Sequence, residues 1–217
     1  MDDIQIIPKP EWVSWEEIHE VIYAAHQVNR DRGLYYKTAT MSGEQLEKRL
    51  RGGACFVALK GKKVVGTKSV KTYLGKQWYN KGHDVAHMML SGVLPEYQGW
   101  GIYEDLTAAA NRYVKKNGIR MLQGGTSERN ELVRKMAAIQ HYVTVDYETQ
   151  VGVNYYSVIF VKWLDGNPFP MWYCKLRFAL SKAWVLFRYK PGKIERFKLV
   201  GLAVKFFAKL KQILRLH

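Results

Sequence analysis

Apolar residues recur at helical spacing from Ser14 to about Asn29. Ile18, Val21, Ile22, Ala25 and Val28 fall on one face, and Ser14-Trp15-Glu16-Glu17 reads as a capping box that opens the helix. Ser42 to Arg51 repeats the pattern over a shorter span, with Leu46 and Leu50 inward and Gly52-Gly53 as its stop. Ala54–Leu59 and Val64–Leu74 are strand-like runs joined by the turn Lys60-Gly61-Lys62-Lys63, which predicts a hairpin. A polar, aromatic loop follows at Gly75–Gly82, and Asp84–Val93 is a third strand. Glu104–Lys116 returns to helical spacing through Leu106, Ala109, Ala110, Tyr113 and Val114. Ile119–Gly125 is the next strand, and Asn130–Gln140 the next helix, with Leu132, Val133, Met136 and Ile139 on one side. Val143–Val151 and Tyr155–Val161 read as a closing hairpin around Gly152-Val153-Asn154.

Between the strand ending at Val93 and the helix after it lies Leu94-Pro95-Glu96-Tyr97-Gln98-Gly99-Trp100-Gly101-Ile102-Tyr103. Gly99 and Gly101 sit in a strand-to-helix turn and let a ligand approach without a Cβ in the way. The amides of Gly99 to Tyr103 point out of the helix start, where the macrodipole favours an anion such as a pyrophosphate. The stretch lacks the Gly-Lys-Ser or Gly-Lys-Thr of a Walker loop. It also lacks the third glycine of a dinucleotide fingerprint, where Glu104 stands.

The Gln98-Gly99-Trp100-Gly101-Ile102-Tyr103 run resembles motif A of the GNAT superfamily of acyl-CoA-dependent N-acyltransferases, with Val93-Leu94-Pro95-Glu96-Tyr97 as its usual lead-in. Tyr103 departs from the small final residue of that motif. The order of elements over about residues 14–163 follows the same family. The resemblance implies an α+β fold with a mixed, mostly antiparallel sheet flanked by helices. It implies acetyl-CoA or another acyl-CoA as cofactor, held by Gln98, Gly99, Trp100, Gly101, Ile102 and Tyr103. A backbone amide near Val93 or Leu94 would polarise the thioester carbonyl. Asn130 matches an asparagine that bonds the pantetheine arm.

The tyrosine that often stands seven residues after that asparagine, as acid toward the thiolate, is Ala137 here. Tyr142, Tyr155 and Tyr156 lie in the right half of the chain to replace it, with Tyr142 the expected acid. Some members carry a glutamate base eleven residues before the Gln of motif A. His87 occupies that position, and a histidine titrating near neutrality suits the task. Asp84 is a weaker candidate. The first two helices and their connection shape the acceptor side in this fold, which implies acceptor contacts from Asn29, Arg32, Tyr35 and Tyr36. No metal site is expected.

Charge changes the picture of the C-terminal quarter. The 217 residues carry a net charge of +15, but residues 168–217 hold 12 Lys or Arg against one acid, Glu195, while residues 1–167 hold 22 against 18. Pro168-Phe169-Pro170 marks a boundary, so residues 1–165 are read as the GNAT-like domain and 166–217 as a basic amphipathic helical tail. In Ile194–Leu216, Phe197, Val200, Val204, Phe207, Leu210 and Leu214 form a stripe flanked by Lys198, Lys205, Lys209 and Arg215. That pattern matches a helix lying in a membrane interface, where anionic lipid adds roughly 1 kcal/mol per basic residue. Packing on a second subunit, as a homodimer, is the competing use. Nucleic acid fits less well, because the apolar stripe is wide.

Two cysteines, Cys55 and Cys174, show no disulfide framework, and the acidic start shows no signal-peptide pattern. These point to the cytoplasm, with peripheral association at the inner face of the membrane through residues 193–217. The expected reaction is transfer of an acetyl or longer acyl group to an amine acceptor, such as a membrane-linked or amino-sugar precursor. An acyl carrier protein is the alternative donor. A non-catalytic membrane-surface adaptor is the rival from another class.

Overall fold

The computed structural model describes residues 4–150 and 153–189. Seven strands form one sheet in the order β1-β2-β3-β4-β5-β7-β6: β1 (Ile4–Pro8), β2 (Ala54–Lys60), β3 (Lys63–Leu74), β4 (Asp84–Val93), β5 (Met121–Ser127), β6 (Val143–Thr149) and β7 (Tyr156–Trp163). Every neighbouring pair is antiparallel except β4 and β5, which the helical crossover makes parallel. The helices are α1 (Trp15–Ala25), α2 (Gln27–Asp31), α3 (Gly43–Leu50), α4 (Ile102–Lys116), α5 (Glu131–Ile139) and α6 (Met171–Arg188).

Local signals explain the helix starts. Ser14 and Glu17 close a capping box on α1, and Ser42 and Gln45 close a second on α3. Alternation along the strands then sends side chains to two cores. Phe56, Ala58, Val70, Ala86 and Leu122 face Ile102, Leu106, Ala110 and Val114 of α4. Cys55, Val57, Leu59 and Leu90 face Ile18, Ile22, Leu46 and Leu50 of α1 and α3. β7 forms its hairpin with β6 yet inserts between β5 and β6, which makes β6 an edge strand.

Three features differ from the sequence expectation. β1 is added to the sheet edge by Ile4–Pro8, a run too short and too close to Pro8 and Pro10 to stand out by periodicity. α1 stops at Ala25 rather than near Asn29, His26 caps it, and Val28 is exposed rather than inward. On α5 the apolar side does not face the core: Leu132 is 70% exposed and Ile139 76%, and the buried residue is Ala137.

The chain after β7 turns back over the sheet. Ser181 of α6 donates to Asp146 Oδ1, accepts from the Tyr147 amide at 3.3 Å and lies 3.1 Å from the Tyr147 carbonyl, so a helix side chain meets the polar groups of the β6 edge. Cys174, Arg177 and Val185 are buried beneath α6, with the Arg177 guanidinium 4.9 Å from the centre of the Trp78 ring. The first part of the 166–217 segment is thereby tied to the 1–165 domain. The Ile194–Leu216 stripe lies outside the described residues. Among the described residues no helix is long and apolar enough to cross a membrane.

Candidate functional site

β4 and β5 pair only through Val85–Met121, Ala86–Leu122 and His87–Gln123, and then separate. A bulge helps to turn β4: Thr67 stands opposite Gly92 but Ser69 opposite Met89, and Leu90 takes φ 49°. Beyond His87 the two strands leave a wedge. The Leu94 amide is spent on the Val65 carbonyl at 2.9 Å, so it cannot polarise a ligand. Backbone groups alternate sides along a strand, so the Val93 N–H and the Ser91 carbonyl point away from β3 and into the wedge. Of the two expected amides, Val93 is therefore the open one.

The turn after β4 has the backbone geometry of an anion cradle. Gly99 and Gly101 take φ 82° and 78°, and a Cβ at either would meet nothing within 4 Å. Gly101 is the N-cap of α4 and no side chain caps that end, which leaves the first amides of the helix outward. Ile102 is buried beneath the turn as its anchor. Gln98 contributes structurally, its Nε2 donating to the Val93 carbonyl at 3.0 Å. Trp100 is exposed and packs edge-on against Tyr97 at 5.6 Å. Tyr103 folds back over β3. The Lys68 Nζ sits 4.1 Å from the Tyr103 ring centre and donates to Thr107 Oγ1 at 3.0 Å, and Lys68 is only 3% exposed.

The opposite side of the wedge joins distant segments. Asn130 caps α5 through Oδ1 and donates from Nδ2 to the Tyr36 hydroxyl at 3.1 Å. The Tyr36 ring stacks on His26 at 4.9 Å and leans on Tyr155 at 5.2 Å. Asn29 Nδ2 lies 3.1 Å from His26 Nδ1. The imidazole also bonds the Ser91 backbone, which puts it beside the wedge; burial lowers its pKa, and that hydrogen bond works the other way. Asn154 holds the loop in place by accepting from the Tyr35 amide at 3.1 Å and donating to the Gly33 carbonyl. Of the residues expected on the acceptor side, Asn29 and Tyr36 meet at this cluster, while Arg32 and Tyr35 are exposed.

His87 and Tyr142 are not brought together. His87 shares the α3 face with Lys71, whose Nζ donates to the Arg49 carbonyl. It ends a buried chain in which Asn80 donates to Gln123 at 3.1 Å and Gln123 lies 3.5 Å from His87 Nδ1. Burial, then the nearby Arg49, pull its pKa down to about 4, rather than leaving it near neutrality as expected from sequence. Tyr142 lies on the α4 face, edge-on to Phe160 at 5.4 Å. Burial, then the neighbouring Tyr103 phenol, raise its pKa, so it stays protonated. It lines a cavity of about 400 Å³ under α5 together with Arg134, Lys135, Thr144, Val158 and Phe160. Tyr155 is buried with its pKa raised by desolvation, and Asp84 is an exposed strand opener.

His26 was missed from sequence. Its only signal is the His26-x-x-Asn29 spacing, and the helix break that aims it cannot be seen in a periodic run that continues to Val28.

No protein-family model and no curated protein matches the chain. Solved structures do match. A protein of the GNAT family from Desulfovibrio desulfuricans superposes with a TM-score of 0.58 at 12% identity, over 75% of this chain and 99% of its own. A GNAT family acetyltransferase from Elizabethkingia anophelis, with acetyl-CoA bound, gives 0.54 at 12% identity, over 76% and 100%. An IAA acetyltransferase from Bacillus cereus gives 0.54 at 15% identity, over 75% and 100%. The chain has the GNAT fold. The GNAT-like part accounts for the whole length of these neighbours, and about a quarter of this chain is additional to it.

Proposed function

We propose that the chain is an N-acyltransferase that moves an acetyl or longer acyl group from acyl-CoA to an amine. The observation that carries this reading is the β4–β5 wedge, with the Val93 N–H turned into it and the uncapped start of α4 beside it. The residues fit the cofactor. Gly99, Gly101 and the first amides of α4 would hold a pyrophosphate, in a space that any Cβ would enter. The cofactor supplies an activated acyl thioester. The Elizabethkingia anophelis neighbour holds acetyl-CoA.

The chain's own groups divide the remaining work. The Val93 amide donates to the carbonyl where negative charge develops. Burial keeps His26 neutral at pH 7, and its Nδ1 takes the amine's proton, directly or through water, once its bond from Asn29 Nδ2 opens. Its place at the Ser91 carbonyl suits that task better than the buried chain holding His87. Tyr36 supplies a proton to the departing sulfur. The Asn130 amide donates to its oxygen, which leaves the phenol hydrogen free to point elsewhere and stabilises negative charge left on that oxygen. Asn29, Tyr36 and Tyr155 line the acceptor side.

The acceptor proposed is an amine on a membrane-linked or amino-sugar precursor, on the strength of the basic residues 193–217. Lys193 to Arg215 carry the charge for an anionic membrane, and the protein would then lie peripherally on its inner face. An acyl carrier protein remains the second donor, and a homodimer a competing use of the tail. Calorimetry with acetyl-CoA, a longer acyl-CoA and an acylated carrier protein tests the reading: binding of a pantetheine thioester supports it, and none binding overturns it.

A further inference from the structure

We propose that the outer face of α6 is a lipid-docking surface for an anionic bilayer, distinct from the residue 193–217 stripe and independent of the acyl-transfer reading. The inner face of α6 is occupied: Ser181 bonds the β6 edge, Val185 packs with Tyr147, and Arg177 lies over Trp78. Among the described residues nothing covers the outer face, which is apolar. Trp172 is 66% exposed, and Leu176, Leu186 and Phe187 are 41%, 45% and 38%. These four lie within one stripe at helical spacing, with exposed Ala179 and Ala183 between them. A helix of an ordinary soluble domain turns such a stripe inward; this one turns it out.

Charge selects the occupant. Lys175 and Lys182 flank the stripe on one side and are exposed, and α6 contains no Asp or Glu. The chain continues from Tyr189 with 28 residues that hold eight Lys or Arg and one acid. A second copy docking here would bring two such sets of cations together. The chain's own C-terminal segment would place further cations on the lysine flank. A surface with anionic headgroups over hydrocarbon complements both the stripe and its flank: Trp172, Leu176 and Phe187 enter the acyl boundary, and Lys175 and Lys182 stay at the phosphates. With four basic residues in 18, the helix lies on the bilayer rather than across it.

Co-sedimentation of the full chain with phosphatidylglycerol/phosphatidylcholine vesicles, and with phosphatidylcholine alone, tests this. Binding is expected to the first and to be much weaker to the second. Lys175→Gln with Lys182→Gln should reduce partitioning roughly thirty-fold at low salt, from the loss of two surface cations. Leu176→Glu with Phe187→Glu should reduce it at least tenfold, and melting temperatures should fall only slightly because both side chains are more than a third exposed. Undiminished binding by both double variants would place all docking in residues 193–217 and overturn the proposal. So would an intact chain that ignores the anionic vesicles, or one that elutes as a dimer which Leu176→Glu splits.

Discussion

The Asn130 side-chain amide lies 3.1 Å from the Tyr36 hydroxyl, across 94 residues of sequence and across the mouth of the β4–β5 wedge. That one bond joins the segment after β5 to the loop after α2, and it helps to fix where the phenol stands.

Tyr36→Phe should lower turnover at least 100-fold with any amine acceptor found in a screen, the usual scale for a lost general acid. Acetyl-CoA affinity should change by less than a few-fold, since the phenol faces the acceptor side. Stability should drop by about 1 kcal/mol, because Asn130 Nδ2 loses its acceptor. Steady-state kinetics beside calorimetry separates the two effects. Full activity in the variant would assign the Asn130–Tyr36 pair to holding the loop alone.

Gly101→Ala and Gly101→Glu separate strain from charge at the cradle. Either side chain must take φ near 78° at this position, which costs about 1–2 kcal/mol. The alanine should therefore melt a few degrees lower and still bind acetyl-CoA weakly. The glutamate should melt about the same as the alanine, yet show no calorimetric binding, because its carboxylate repels the pyrophosphate. Equal affinity in the two variants would reduce the turn to a connector.

The two half-buried histidines predict an acid-side loss of stability. His87 titrates at about 4 in the folded chain against 6.5 unfolded, so the unfolded state binds more protons between those values. Stability then rises with pH across that window, is complete above pH 6.5, and is lost as pH falls toward 4. His26 shifts in the same direction. For His87 the effect amounts to at most about 3 kcal/mol. Urea denaturation at pH 4.5 and 7 should show the difference, and His87→Gln should shrink it. A pH-independent midpoint shift between wild type and His87→Gln would mean that the imidazole is solvated.

Much of this fold could be read along the chain because its signals are local. The capping boxes at Ser14 and Ser42, the alternation from Ala54 to Leu74 and the glycines at 99 and 101 each act within a few residues. The site was less legible because it depends on where strands part and side chains meet. Val93 and Leu94 are adjacent and equally plausible in sequence, and only the pairing of β4 with β3 shows which amide is free. His87 and Tyr142 suit base and acid by residue type, yet His87 stands on the α3 face of the sheet and Tyr142 packs into the α4 core on the other. Leu132 and Ile139 show the converse failure, since a helical stripe records amphipathicity but not which side of the helix meets the protein.

α6 shows the same ambiguity on a larger scale, and its two faces can be tested separately. Ser181→Ala removes a side chain that donates to Asp146 Oδ1 and accepts from the Tyr147 amide at the β6 edge. The Tyr147 amide keeps a second bond, to Asp146 Oδ1 at 2.9 Å, so the cost should be modest, about 1 kcal/mol. For a chain of this size that lowers the melting temperature by about 2–4 °C. Hydrogen exchange at Tyr147 should quicken by a similar factor in free energy, since the helix and the edge strand open together. Vesicle binding should be unchanged, because Ser181 points inward while Trp172, Leu176 and Phe187 point out. A variant with unaltered melting and exchange would mean that α6 contributes little to closing the β6 edge.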